Sequence, residues 1–378
     1  MLLEFGVKNF FSFLEESVLS LRVDAKCPPE VAQGRPALSA LCIQGANASG
    51  KTQLLKALTF VSHFVLNSFA DGPQEKIGVA PFYGSTDPCE FFLEFEDEDA
   101  IWRYELVVDR QQVQRETLYK SRGKRVRLFQ REGNTLSACV KELHALSGMR
   151  LRSNASIVST AIQYDFSGLH VLANNLEFVS NVSFLGRRDA LFNVRDIAGH
   201  LQNEPEVFAF IKQFICDCDT GIADIKIEES IDQHGEQVRF PVFFHRCGDD
   251  LYAVPYMMES SGTRSLFCDL GMYHYVLRRG GVLILDEFDQ NLHPHILPKL
   301  LALFLQAEHN PLGAQLLFTT HDTEIMNLLG RYRIYLVAKE DNESFAYRLD
   351  EIPGDILRND RPIRPVYIEG RIGGVPRL

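Results

Sequence analysis

One short segment constrains the fold of this chain more than any other. Residues 45–52 read GANASGKT, which fits the pattern G-x-x-x-x-G-K-[ST] in full. The apolar run ALCIQG precedes the segment, and TQLLKALTFVSHFVLNSF follows it with apolar residues at helical spacing. This strand–loop–helix context favours a phosphate-binding loop over a chance glycine-rich turn. The sequence therefore predicts an α/β fold built around a nucleotide-binding loop.

The residue types of the loop suit the binding of phosphate groups. Glycines let consecutive backbone N–H groups turn toward an anion, and the following helix adds the positive end of its dipole. We expect Lys51 to contact the β- and γ-phosphates of ATP and Thr52 to place its hydroxyl on Mg²⁺. The predicted nucleotide-binding residues of the loop are Gly45, Asn47, Ser49, Gly50, Lys51 and Thr52.

Two adjacent carboxylates follow a second apolar strand pattern, GGVLILDEF. Ligands of open α/β sheets bind at the carboxyl ends of the strands, so we predict Asp286 as a second ligand of Mg²⁺. Neighbouring residues of an extended strand point to opposite sides. Glu287 is therefore predicted to orient and deprotonate an attacking water, as a catalytic residue beside Lys51.

The histidines near these carboxylates have two interpretations each. His321 follows the strand pattern QLLFTT; a lone histidine there is usually structural, but its imidazole would also reach a γ-phosphate, and we include it in the catalytic set. His293 and His295 in NLHPH resemble metal ligands, yet no third ligand is evident in the sequence. We favour a turn at a helix start, because Pro294 lies between them.

Composition excludes several classes of protein. The chain has 378 residues, of which 46% are hydrophobic, enough for one large domain with an insertion. Its apolar runs fall far short of the roughly 20 residues that a membrane-spanning helix needs. The start MLLEFGVKNF lacks the features of a secretory signal, so we expect a cytoplasmic protein without membrane contact. The net charge of −11 argues against indiscriminate binding of nucleic acid.

One basic segment leaves local contact with nucleic acid as an alternative. In an extended strand its alternation would show several cations on one face, although charge runs are more often solvated hairpin edges. The cations of this segment are Lys120, Arg122, Lys124, Arg125, Arg127 and Arg131.

Five motifs together resemble one superfamily. In order along the chain, VKNFFSF, GANASGKT, ESSGTRSL, LDEFDQNLHP and FTTHD resemble the ABC-type ATPases related to the SMC, RecF and OLD groups. Within these, the chain is most similar to the AAA-type ATPases of bacterial defence loci, the RloA-like group that includes the ATPase subunit of the PARIS anti-phage system. The resemblance covers roughly residues 1–110 and 236–378, and no known pattern covers the middle.

The resemblance implies an α/β P-loop ABC-type ATPase head with a β-rich N-terminal elaboration and a mainly helical insertion. Residues 1–130 would form the N-terminal half of the head with an antiparallel β subdomain, and residues 236–378 the C-terminal half. Between them, residues 131–235 are expected to be mainly helical, as LSACVKELHALSGM and EPEVFAFIKQFI indicate.

The resemblance also gives a role to the turn ESSGTRSL. In such ATPases two heads enclose two nucleotides, and the serine–glycine signature of one head contacts the γ-phosphate bound to the other. Ser260, Ser261 and Gly262 match this signature, before a helix predicted from Thr263. The alternative is an ordinary polar turn. The sequence departs from the LSGGQ form of this signature, so the resemblance does not decide which serine makes the contact. Gln44 is not where the Mg²⁺-site glutamine of the family is expected.

The resemblance finally implies what the ATPase controls. With ATP and Mg²⁺ as cofactors, the chain would be a switch or scaffold of an anti-phage, toxin–antitoxin-like defence system. Its partner would be a separately encoded effector, a Toprim-like nuclease or an RloB-like protein, because the chain beyond His321 is too short to add a nuclease domain. It would form at least a head-to-tail dimer, with a higher ring as an alternative. A RecF/SMC-like DNA-repair ATPase is the other functional hypothesis.

Overall fold

The strands of the computed structural model form two large sheets and two small ones. The structure describes residues 1–148, 150–188, 194–218, 221–231, 235, 237–354, 356–357 and 361–375. The strands are β1 (Leu2–Lys8), β2 (Ser17–Ser20), β3 (Ala40–Gly45), β4 (Cys89–Asp97), β5 (Ala100–Val108), β6 (Val113–Arg122), β7 (Lys124–Glu132), β8 (Thr135–Cys139), β9 (Phe178–Ser180), β10 (Val182–Ser183), β11 (Gly186–Arg187), β12 (Ile222–Ile231), β13 (Gln237–Cys247), β14 (Asp250–Pro255), β15 (Val282–Leu285), β16 (Gln315–Thr319), β17 (Ile334–Glu340) and β18 (Glu343–Arg348).

The helices surround these sheets. The α-helices are α1 (Pro29–Ala32), α2 (Lys51–Asn67), α3 (Ile157–Gln163), α4 (His170–Leu176), α5 (Val194–Asn203), α6 (Pro205–Cys216), α7 (Ser261–Arg279), α8 (Leu297–Leu305), α9 (Ile325–Leu329) and α10 (Ile363–Ile368). Short 3-10 helices lie at Phe82–Gly84, Lys141–Gly148, Ser167–Leu169, Tyr256–Met258, Arg331–Arg333 and Leu349–Glu351. Among the described residues, no helix combines the length and the apolar character needed to cross a membrane.

A six-stranded sheet forms the centre of the molecule, in the order β18-β17-β3-β16-β15-β9. Its five strands from β17 to β9 are parallel, and β18 adds an antiparallel edge. All residues of β3, β15 and β16 are buried, as expected of parallel strands that are covered on both faces. The carboxyl ends of β3, β15 and β16 therefore meet at one edge of the sheet.

Alternate residues of the central strands pack into two separate cores. Ile43 and Leu317 face a core shared with α2 and the seven-stranded sheet, whereas Cys42 and Phe318 face a core shared with α7 and α8. This alternation follows from the two-residue repeat of a strand. The result is a layered α/β architecture in which both faces of the central sheet are covered.

The second large sheet is antiparallel, in the order β2-β1-β4-β5-β6-β7-β8. Its inner face buries Tyr104, Leu118 and Phe129 in the first core. This sheet is the predicted β-rich N-terminal elaboration, so the predicted α/β fold class is confirmed.

The middle of the chain is less helical than its sequence indicated. In LSACVKELHALSGM, Thr135–Cys139 is strand β8 and Lys141–Gly148 is a 3-10 helix, while Met149 lies outside the described residues. The helix prediction for this stretch is wrong because β7 offers pairing to β8, and tertiary pairing overrides local periodicity. Strand β9 of the same region lies in the central sheet. The division at residues 130 and 235 stays a prediction.

The basic segment of β6 and β7 does not present one cationic face. Arg131 is fully buried and forms an ion pair with Glu116, 3.4 Å from Arg131 Nη1 to Glu116 Oε2. Lys120 lies over the Trp102 ring, 4.4 Å from its centroid. Arg125 lies on the opposite face of the sheet, where it pairs with Glu105. Lys120, Arg122 and Lys124 share one face, as the alternation predicts. The expectation that the segment gathers its cations is wrong for Arg131, which is buried, and for Arg125, which lies on the other face.

Candidate functional site

Residues 45–52 join β3 to α2 and form the predicted loop. Two glycines are required by close approaches of the backbone. A Cβ on Gly45 would lie 2.3 Å from the carbonyl oxygen of Val337, and Gly50 has φ +115° with a Cβ position 2.9 Å from the Ser344 hydroxyl. The same hydroxyl donates to the carbonyl of Ser49, at 2.6 Å. Strands β17 and β18 thus pack directly against the loop, through Val337 and Ser344.

Lys51 lies at the centre of this loop. Its Nζ donates to the carbonyl oxygens of Gly45 and Ala46, 2.9 Å away in each case, and the residue is only 8% exposed. Burial lowers the pKa of the Lys51 ammonium below its ordinary value, and the nearby carboxylates of Asp286 and Glu287 oppose that shift. A bound anion would restore the charge balance of this ammonium.

Asp286 connects the loop to the neighbouring strands. Its Oδ2 accepts from the Thr52 hydroxyl at 2.8 Å, and its Oδ1 accepts from the Thr319 hydroxyl at 2.6 Å. Asn181, directly after β9, accepts from the Asp286 N–H at 2.8 Å and donates to its carbonyl at 3.0 Å. Asp286 is 4% exposed, so these contacts fix both its backbone and its carboxylate.

This oxygen-rich site fits Mg²⁺. The Thr52 hydroxyl and the Asp286 carboxylate are hard oxygen donors placed side by side. No group of three or more His, Cys, Asp and Glu residues that could hold a metal occurs in the described part of the chain. Phosphate oxygens of a bound nucleotide would complete the coordination of a cation held by Thr52 and Asp286, as they do for Mg²⁺ in nucleotide sites.

Glu287 is positioned by a turn, not by an extended strand. Strand β15 ends at Leu285, and Glu287 adopts φ +52°. Its N–H donates to Thr319 Oγ1 at 2.8 Å, and its carboxylate pairs with Arg187, at 3.3 Å from Nη1 to Oε2. We predicted that strand alternation would point the two carboxylates in different directions. That explanation is wrong, because Asp286 and Glu287 lie beyond the end of the strand and the left-handed backbone at Glu287 sets the direction of its side chain.

His321 and Gln44 lie at the same edge. His321 is exposed, and its backbone N–H donates to Asp289 at 3.3 Å; the catalytic role of its imidazole stays a prediction. Gln44 is buried and donates from Nε2 to the carbonyl of Asp322 at 2.8 Å. Gln44 therefore ties β3 to the segment that follows β16.

The histidine pair of NLHPH lies where a helix begins. His293 Nδ1 accepts from the His295 N–H at 3.2 Å, in an exposed turn just before α8. The predicted turn is confirmed.

Ser260 caps helix α7. Its hydroxyl oxygen accepts from the Thr263 N–H at 3.1 Å, and the helix begins at Ser261, earlier than the predicted start at Thr263. A Cβ on Gly262 would lie 2.7 Å from the carbonyl oxygen of Asn291, so the third signature position requires glycine. Both serines are exposed, and no hydrogen bond among the described residues joins them to the loop of the same chain.

Three further residues of the site were missed by sequence reasoning. Thr319 is the last residue of β16, the strand next to β15. A polar residue at the carboxyl end of a strand pattern could have marked it in the sequence as a candidate site residue. Asn181 and Arg187 belong to the middle of the chain, where the sequence shows no recognisable pattern. Only the pairing of β9 with β15 brings them to Asp286 and Glu287.

The phosphate-binding loop after β3 and the two carboxylates after β15, at the same edge of the sheet, define a P-loop nucleotide-binding protein. The family described as "AAA domain, putative AbiEii toxin, Type IV TA system" matches residues 41–327. The chain belongs to this family of P-loop ATPases. No curated protein matches it. Among solved structures it is similar to the "SMC head domain from Thermotoga maritima", with 15% identity, coverage of 92% of this chain and 98% of the other, and a TM-score of 0.43.

Proposed function

We propose that this chain binds and hydrolyses ATP. The convergence of Lys51, Thr52 and Asp286, with Glu287 beside them, is the observation that carries this proposal. Thr52 and Asp286 would hold Mg²⁺, which neutralises phosphate oxygens when it is bound. Gly45, Asn47, Ser49 and Gly50 complete the cradle in this proposal.

The protein groups have separate tasks in the reaction. Lys51 places a positive charge against the terminal phosphates, in a buried position that strengthens the interaction. Glu287 is exposed and receives the proton of the attacking water. Arg187 holds the Glu287 carboxylate in one orientation, so we assign it as a positioning residue. His321 is assigned to a contact with the γ-phosphate.

The active site is proposed to be shared between two copies. Ser260 and Ser261 begin a helix of 19 residues whose N-terminus faces solvent, while the loop of the same chain has its own donors. A helix N-terminus favours a phosphate group. A second copy arranged head to tail would bring Ser260, Ser261 and Gly262 to the nucleotide on the first. A dimer is the minimum assembly, and a higher ring is compatible with it.

Lys51→Ala is expected to weaken ATP binding about 10- to 100-fold, because it removes a charge-assisted contact from a buried site. Calorimetric titration of the purified chain with ATP and Mg²⁺ measures this effect. Lys141→Ala is the control, since Lys141 is an exposed lysine outside the site. Equal affinity of Lys51→Ala and wild type would remove Lys51 from its assigned role.

The ATPase is further proposed to control a separately encoded effector of an anti-phage, toxin–antitoxin-like system. The family description and the RloA-like motifs support this role. Expression of the chain alone should be harmless, and expression with its effector gene should be toxic when the system is triggered. The purified chain should not cleave DNA or RNA with Mg²⁺ or Mn²⁺. Metal-dependent cleavage that survives Lys51→Ala would overturn this division of labour.

DNA-stimulated hydrolysis would instead favour the RecF/SMC-like repair ATPase. The exposed Arg122, Lys124 and Arg127 are the observation on which that alternative rests. The repair ATPase is the weaker candidate, because Arg131 is buried and Arg125 pairs with Glu105.

A further inference from the structure

One largely exposed aromatic side chain lies beside the phosphate-binding loop, with its ring edge-on to Phe82. Tyr83 is 62% exposed. Lys339 Nζ donates to the Tyr83 hydroxyl at 3.3 Å and to the carbonyl of Ala48, in the loop, at 3.4 Å. The same ammonium lies 5.9 Å from the centroid of the Tyr83 ring. Tyr83 is thus joined to the loop through a single side chain.

The sheet order places these residues on a particular side of the loop. Lys339 belongs to β17, which neighbours β3 on the side away from β15. Asp286 and Glu287 follow β15, so the terminal phosphate of a nucleotide lies toward that strand. In a nucleotide the base and the γ-phosphate are at opposite ends of the molecule. A nucleotide with its γ-phosphate near Asp286 and Glu287 would therefore place its nucleoside end on the side of Lys339 and Tyr83.

The turn that carries Tyr83 is anchored although the ring is exposed. The Phe82 N–H donates to Asn9 Oδ1 at 3.2 Å, and Asn9 Nδ2 donates to the carbonyl of Asp87 at 2.7 Å. The N–H of Phe11 donates to the carbonyl of Ala80 at 2.7 Å, on the approach to the same turn. Asn9 is buried. These contacts hold an aromatic face next to the loop before any ligand binds, which lowers the entropic cost of stacking.

We propose that Tyr83 and Lys339 form the nucleoside-binding part of this site. The inference rests on the proposed ATP binding and deepens it. The purine base stacks on the Tyr83 ring, and Lys339 holds the ring against the phosphate-binding loop. A base has an apolar π-face that suits an exposed aromatic ring. The ligand class is a purine nucleoside triphosphate.

The test compares ATP with inorganic tripolyphosphate, which carries the three phosphates without a base. In calorimetric titrations of the full chain with Mg²⁺, Tyr83→Ala should weaken ATP binding about tenfold and change tripolyphosphate binding less than twofold. Tyr83→Phe keeps the aromatic face and should bind ATP within about threefold of wild type. Tyr164→Ala removes a tyrosine of similar exposure (64%) and should change neither ligand.

A second variant measures stacking directly. The chain has one tryptophan, Trp102, which is only 6% exposed. Tyr83→Trp adds an exposed indole, whose emission should fall when ATP is added and stay constant with tripolyphosphate. Quenching by ATP alone supports the base contact even if Tyr83→Ala loses stability.

The outcomes separate this inference from the function on which it rests. Wild-type ATP affinity in Tyr83→Ala, or an equal loss for ATP and tripolyphosphate, would overturn the stacking contact and leave the phosphate site standing. A wild-type chain that binds neither ligand would instead refute the proposed ATP binding itself, and the stacking contact with it.

Discussion

Glu287→Gln is expected to bind ATP with wild-type affinity and to hydrolyse it about 10²- to 10⁴-fold more slowly. In the proposed site the phosphates are held by Lys51, Thr52 and the backbone of the loop, and none of these groups changes. The amide fills the volume of the carboxylate but does not accept the proton of the attacking water. Arg187 still has an oxygen partner at this position, so the turn after β15 should keep its shape.

Phosphate release under saturating ATP and Mg²⁺ measures this effect, and calorimetry of the same sample gives the affinity. Glu308→Gln is a matched control, because Glu308 has a side chain that is 76% exposed and follows α8, away from the loop. ATP should also accumulate the closed dimer of Glu287→Gln, which light scattering detects. A wild-type rate would show that another group deprotonates the water.

Ser261→Arg is expected to keep ATP binding by a single chain and to reduce hydrolysis at least 100-fold. The binding groups belong to the same chain as the loop, whereas Ser261 begins the exposed helix α7. In the proposed shared site, arginine at this position would block close approach of the two copies and remove a contact to the γ-phosphate. Loss of one such preorganised donor costs about 10²–10³ in rate.

Mixing the two variants tests whether the active site is shared. In a mixed dimer, the Ser261→Arg chain supplies an intact Lys51 and Glu287, and the Glu287→Gln chain supplies the intact signature. That one site should recover hydrolysis that neither variant shows alone. The control is each variant alone, at the total protein concentration of the mixture. A wild-type rate for Ser261→Arg alone would mean that the turn is only a helix cap and that each chain hydrolyses ATP by itself.

The sequence by itself determined the parts of the site that depend on contiguous residues. The loop of residues 45–52 was predicted with its strand and its helix, because the glycines, the lysine and the helix start act through the local backbone. Asp286 was predicted for a similar reason, since it directly follows a buried strand. The α/β class followed from apolar runs whose length and flanking turns are local features.

Tertiary structure alone decided which distant residues meet at this edge of the sheet. Asn181 clamps the backbone of Asp286, and Arg187 pairs with Glu287, only because β9 adds to the sheet beside β15. The sequence pattern indicates Arg131 as one of several surface cations, but in the fold it is buried and pairs with Glu116. Such pairings are set by packing between segments far apart in the chain. Local propensity carries no information about them, because the free energy that selects them comes from burial and long-range hydrogen bonds.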